Sequence, residues 1–265
     1  MKKLVKSTIK FILGDKKYRL IQRDLMHKKN KSTDELYVIS KYFRNNNEKG
    51  TMIDVGVHYG ESSELFLDCG WKVYGFEPDD NNRAKISDIV INDKNHKLFD
   101  CALSNEEGEM SFYSSPESSG ISSLLNFHET HKELKKVKVE VLKNIITKYD
   151  ISNVKMIKID TEGYDLFVIK GIDFNRLKDL KVLFCEFEDK KTTKLNYTVL
   201  DMIKYLEDQG FKVIVSEWYP IERYGVSHKF KEAKKYPCEV GENAWGNLVA
   251  YKSEEFESYF LNKMS

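Results

Sequence analysis

From Thr51 onward, short apolar runs rich in β-formers alternate with stretches of helical spacing, and that alternation leaves the chain few architectures. Runs at 52–55, 72–76, 154–160 and 180–188 lead in turn to helical patterns at 60–68, 81–91, 164–170 and 198–210, the last ending in Gly210. Residues 97–103 and 108–115 read as further extended segments, and 139–150 turns helical at its end. Strands this apolar, joined by helices, predict a mostly parallel twisted sheet with helices on both faces, a doubly wound α/β domain. The last two strands, 211–218 and 247–251, have no long helix between them, which predicts an antiparallel C-terminal pair. Residues 219–246, between them, are too many for an idle loop and are expected to form a functional insertion.

A chain of 265 residues that is 41% hydrophobic, with four prolines and a net charge of +1, suits one large domain and gives no global case for nucleic-acid binding. The expected division is a basic helical segment at 1–45 and the α/β domain at 46–265. The first 31 residues carry eleven Lys/Arg against two Asp, a net charge of +9, interleaved with Leu4, Val5, Ile9, Phe11, Ile12 and Leu13. Two readings fit: a basic helix packed on the domain edge, or an amphipathic segment lying on an anionic membrane surface. The apolar run is too short and too broken by lysines for a signal peptide. A helix over 33–43 has Thr33 placed to cap it. The four cysteines show no ligand spacing; Cys101 and Cys185 read as buried thiols, and the cytoplasm is the expected compartment, at the inner face of the membrane under the second reading.

The stretch "IDVGVHYGES" sets Asp54, Gly56, His58 and Gly60 at the end of the first strand. Ligands in open α/β sheets bind beyond the strands' carboxyl ends, so these residues and Glu77-Pro78, one loop–helix–strand unit later, form the expected cofactor site. A carboxylate at 77 offers two acceptor oxygens to a ribose diol and would repel a 2′-phosphate. The loop supplies GxxxG followed by Glu61, not the GxGxxG that cradles a pyrophosphate. Acids lining the site favour a cationic ligand with an adenosine ribose, which describes S-adenosylmethionine (SAM). "IKIDTEGYD" then crowds Asp160, Glu162 and Asp165 into one strand-to-helix turn. Helix capping through Thr161 or Asp160 explains some of this; a general base, or a grip on the methionine end of the cofactor, explains the number of acids better.

Taken together, "IDVGVHYGESS", "GFEPD", "CALSNEEGEMSFY", "SSGISSL" and "IKIDTEGYDLFVIKG" resemble, in order and register, the FkbM family of SAM-dependent methyltransferases. The likeness runs from Thr51 to Gly171; Val57 and His58 replace the family's usual Ala-Asn. It implies a Rossmann-like class I methyltransferase fold and O-methylation of a hydroxyl on a sugar, glycan or polyketide-like scaffold. Carried over, Asp54, Gly56 and Gly60 shape the cofactor loop and Glu77 holds the ribose. Asp100 and Ala102 approach the adenine, with Asp100 accepting from its amino group, and Asp160 and Glu162 lie near the transferring methyl.

A sugar hydroxyl needs a base as its new bond forms, and Asp160 or Glu162 can serve, with His58 and His128 outside candidates. A divalent metal on Asp160, Glu162, Asp165 or Glu186 could lower the hydroxyl's pKa instead. His128 and His131, three apart in an expected solvated helix, lack the further ligands of a zinc site. Ser118–Ser123 reads as a hydroxyl-rich substrate loop or a plain turn. Trp218, Tyr219, Tyr224, Tyr236 and Trp245 suggest an aromatic lid over a glycan acceptor. The alternatives are a nicotinamide-dependent oxidoreductase, which lacks its third glycine, and a non-catalytic nucleotide-binding protein, which needs no crowded acids. The Asn/Asp-Pro-Pro-Tyr/Phe signature of amino-group methylation is absent, and no nucleic-acid partner is expected.

Overall fold

The computed structural model describes residues 11–30, 33–221 and 228–265; Leu4, Val5, Ile9 and Tyr224 lie outside them. Its strands are β1 (Thr51–Val55), β2 (Lys72–Phe76), β3 (His96–Phe99), β4 (Ala102–Ser104), β5 (Gly108–Ser114), β6 (Lys132–Val141), β7 (Val154–Ile159), β8 (Val182–Glu188), β9 (Lys212–Trp218), β10 (Phe230–Lys235) and β11 (Trp245–Tyr251). The main helices are α1 (Asp15–Asn30), α2 (Glu35–Asn45), α3 (Glu61–Asp68), α4 (Leu142–Lys148), α5 (Asp165–Lys170), α6 (Val199–Asp208) and α7 (Glu254–Met264). The large sheet has the order β10-β9-β11-β8-β7-β1-β2-β3. Neighbours from β8 to β3 are parallel, and β11 runs antiparallel between β8 and β9, as the helix-free connection predicted.

Adjacent residues on the central strands serve opposite faces, because side chains alternate across a strand. Ile53, Ile157 and Cys185 pack beneath α4, α5 and α6, while Met52, Met156 and Phe184 pack with α2, α3 and α7. Asp34, not Thr33, caps α2: its carboxylate accepts from the Tyr37 N–H at 2.9 Å. Thr198 and Asp201 close a capping box on α6.

At the periphery the structure differs from, or adds to, the expected elements. The extended run 97–103 splits at exposed Asp100, so β3 stays in the main sheet while β4 joins β6 and β5 in a separate three-stranded sheet. The segment around His128 is a turn leading into β6, not a solvated helix. The 219–246 insertion contains β10, an edge strand antiparallel to β9. Helix 81–91 is two short pieces, Asp80–Arg83 and Asp88–Ile91.

The basic segment is fastened to the domain by its charged side. Lys16 pairs with Asp93, Arg19 with Asp68 and Arg23 with Glu64, while Arg44 and the Tyr37 hydroxyl hold Asp24.

Candidate active site

The carboxyl ends of β1, β2 and β7 point the same way, and a cleft opens beyond them. Gly56 leaves β1 with φ +79°, and a Cβ there would stand 1.9 Å from the Asp160 carbonyl oxygen. Only glycine lets the β1 and β7 turns approach this closely. Beyond it His58, at φ 52°, donates its backbone N–H to Glu77 Oε2 at 2.7 Å. Glu77 Oε1 accepts the Asp79 N–H at 2.9 Å. The carboxylate, held by these donors, lines the cleft. Burial raises the Glu77 carboxyl to about 6, against the pull of those N–H donors.

Cys101, Ala102, Leu103, Phe112 and Leu124 give the cleft an apolar wall, much of it from the small sheet and the loop before β6. The serine loop folds over the opening. Ser119 Oγ lies 3.1 Å from His58 Nε2 and 2.6 Å from the Tyr59 hydroxyl, and Ser123 Oγ donates to the Glu162 carbonyl at 2.8 Å. His131 Nε2 ties the same loop down through the Ile121 carbonyl at 2.9 Å. The serines therefore cover the cleft rather than form a detached surface turn.

At the far end Asp160, Glu162 and Glu186 converge, with one oxygen of each within 4.8 Å of the others. Burial pushes the Glu162 carboxyl up to about 7 and holds Glu186 well above the usual carboxylate range. Lys191 Nζ stands among these acids, paired with Glu162, 3.4 Å from Glu186 and 2.7 Å from Glu188. A divalent cation and this ammonium would compete for the same carboxylates. Lys158, also buried, donates to the Gly56 carbonyl at 2.7 Å and lies 3.5 Å from Asp54 and 3.4 Å from Asp160. Burial opposes its charge, but Asp160 and Asp54 hold its pKa above the normal lysine value.

Gly56, His58, Glu77, Pro78, Ala102, Asp160 and Glu162 all line the cleft. Asp54, Gly60, Asp100 and Asp165 do not. Asp54 is fully buried under the loop, its Oδ2 accepting from Ser63 Oγ at 2.7 Å and its Oδ1 3.5 Å from the Lys158 ammonium. Gly60 begins α3 in the left-handed conformation, packed against Ile86. Asp100 is exposed at the crossing from β3 to β4, which turns it away from the wall that Cys101 and Ala102 form. Asp165 is buried, its carboxyl raised to about 6 by that burial, and it accepts from Thr161 Oγ1 at 3.1 Å and the Gly163 N–H at 3.2 Å. Its work is to hold the acidic turn. The two lysines were not anticipated. Lys158 is one of two lysines in the apolar strand "VKMIKI", a signal available in the sequence; Lys191 sits in "EDKKTTK", which reads as a solvated charge run.

The pattern of the methyltransferase FkbM domain matches residues 54–213, more than half of the chain. The chain belongs to the FkbM methyltransferase family. That match extends past the motif run ending at Gly171 to take in Glu186, Lys191 and α6. Methyl transfer is the chemistry of the family, which sets the oxidoreductase reading aside. Among solved structures, this FkbM-family chain is similar to precorrin-6y C5,15-methyltransferase from Geobacter metallireducens, at 14% identity over 78% of this chain and 81% of that one, TM-score 0.42. It is also similar to magnesium protoporphyrin IX methyltransferase from Synechocystis, solved with bound SAM, at 11% identity over 94% of this chain and 97% of that one, TM-score 0.45. No curated protein matches the chain.

Proposed function

We propose that this FkbM-family chain uses SAM to methylate a hydroxyl of a sugar, within a polysaccharide or glycolipid. The observation that carries the reading is Glu162, a carboxylate at the cleft's end whose burial tunes it to about 7. A general base works best with a pKa near the working pH, and a sugar hydroxyl needs one. Glu162 takes the hydroxyl proton, and Lys191 balances the charge of the neighbouring acids without a metal. Glu77 would hold the ribose, the Cys101–Leu103 wall the adenine, and Asp160 the cationic end of the cofactor. When bound, SAM supplies the electrophilic methyl group. Glu77 with both oxygens anchored by N–H donors is a rigid acceptor, which fits a ribose diol.

The acceptor side is aromatic. Trp245 pairs with Glu188 across β11 and β8 and with Trp218 across β11 and β9, and the Trp218 indole N–H donates to Glu35 Oε1 at 2.9 Å. The two rings lie 5.7 Å apart, and the Trp245 N–H donates to the Tyr219 carbonyl at 2.7 Å. Aromatic faces beside carboxylates suit the C–H and O–H surfaces of a sugar. Tyr236 packs against the core under the sheet and does not join this wall.

The test is to incubate the protein with SAM and a panel of sugar glycosides, with and without EDTA, and to analyse products by mass spectrometry. The expected product is a methyl ether formed at the same rate in EDTA. Loss of activity in EDTA would replace Lys191 by a cation as the partner of the acids. Methylation on nitrogen or carbon alone would overturn the hydroxyl reading.

A further inference from the structure

Helix α1 is amphipathic in the reverse sense of an ordinary surface helix. Lys16, Arg19, Arg23 and His27, spaced three or four apart, face the domain, where the first three meet carboxylates. Leu20 packs against the core beside them, but the outward side carries apolar residues as well. Leu25 is 58% exposed and Met26 52%, with Ile21 one turn earlier also exposed; before the helix, Phe11 is 90% and Ile12 74% exposed. Lys17, Lys28 and Lys29 are exposed among them. Apolar side chains ringed by lysines, on a segment held down by its other side, match the chemistry of an anionic bilayer surface.

We propose that this outer face, with the lysines around it, docks the protein on anionic phospholipid. The ion pairs with Asp68, Glu64 and Asp93 hold the helix flat against the domain, so its apolar face is presented without any rearrangement. No helix among the described residues is long and apolar enough to cross a membrane, so the contact is peripheral. On its domain-facing side α1 borders a groove through Arg23, Met26 and His27, whose other wall is His58, Tyr59 and Asp160. The lipid contact itself does not depend on which acceptor is methylated.

Sedimentation with vesicles tests it. The full chain is mixed with vesicles of phosphatidylcholine alone or with an equal part of phosphatidylglycerol, as wild type, as Phe11→Asp/Leu25→Asp and as Lys17→Glu/Lys28→Glu/Lys29→Glu. Wild type is expected to bind only the anionic vesicles, and each variant to lose about tenfold or more of that binding. Thermal melting checks that the variants remain folded; all changed positions are exposed. No binding by wild type, or equal binding by wild type and Phe11→Asp/Leu25→Asp, overturns the proposal. So does a wild-type dimer that Leu25→Asp dissociates, since the face would then be covered by a second copy.

Discussion

Glu162 sits at φ 56° on the turn after β7, a conformation that costs a non-glycine residue roughly 1 kcal/mol or more. Asp165 and Ser123 hold the turn in that shape, through the Gly163 N–H and the Glu162 carbonyl. Burial raises the Glu162 carboxyl and the Lys191 ammonium opposes the rise, so the pair together sets that carboxyl near 7. A base acts in its ionised form, so methyl transfer should fall as pH drops through about 7 and level off above it. Glu162→Gln should lower kcat about 10²- to 10⁴-fold and abolish that pH dependence, with SAM affinity unchanged. Lys191→Met removes the opposing charge, so the profile should move to higher pH. Steady-state rates across a pH series check both; an unchanged profile in either variant would separate Glu162 from the proton transfer.

At the scale of elements, the turns that end β1 and β7 depend on each other. Gly56 lets the Asp160 carbonyl pass where a side chain would be, and Lys158 clasps the Gly56 carbonyl from the β7 side. Gly56→Ala should therefore cost about 3 kcal/mol. That corresponds to a fall of roughly 10 °C in Tm, readable by calorimetry. A melting temperature within a degree or two of wild type would mean that the two turns separate freely. The same scale explains what the sequence conceals. In β6, Val137, Val139 and Val141 alternate with charged residues and are buried, but the run "KELKKVKVEV" reads as solvated because its outer face is so highly charged. β10, "FKEAKK", is an edge strand whose lysines leave its outer side in water, and edge charge of this kind keeps sheets from pairing further.

For the whole molecule, the alternation of strands and helices was enough to give the parallel sheet and its antiparallel closing strand, because both follow from local patterns and short connections. The places of the glycine turn after β1, of Glu77 and of the acidic turn were legible for the same reason: each stands at a strand end that the pattern locates. What depended on packing between distant segments was not legible. Asp54 and Asp165 look like ligands in the sequence but are buried supports, and Lys191 looks solvated but is 3% exposed among three glutamates. The small sheet escaped notice because Asp100 breaks an extended run without any glycine or proline to mark the break.

The central claim is that the cleft bounded by Gly56, Glu77 and Asp160 is a SAM site. Calorimetric titration of SAM, and separately NADH, into wild type and Glu77→Ala tests it most directly. Glu77 should contribute two charge-assisted hydrogen bonds to the ribose, together about 3 kcal/mol. The account predicts that wild type binds SAM and not NADH, and that Glu77→Ala weakens SAM binding about 100-fold. Equal SAM affinity in the two proteins, or binding of NADH in place of SAM, would contradict it.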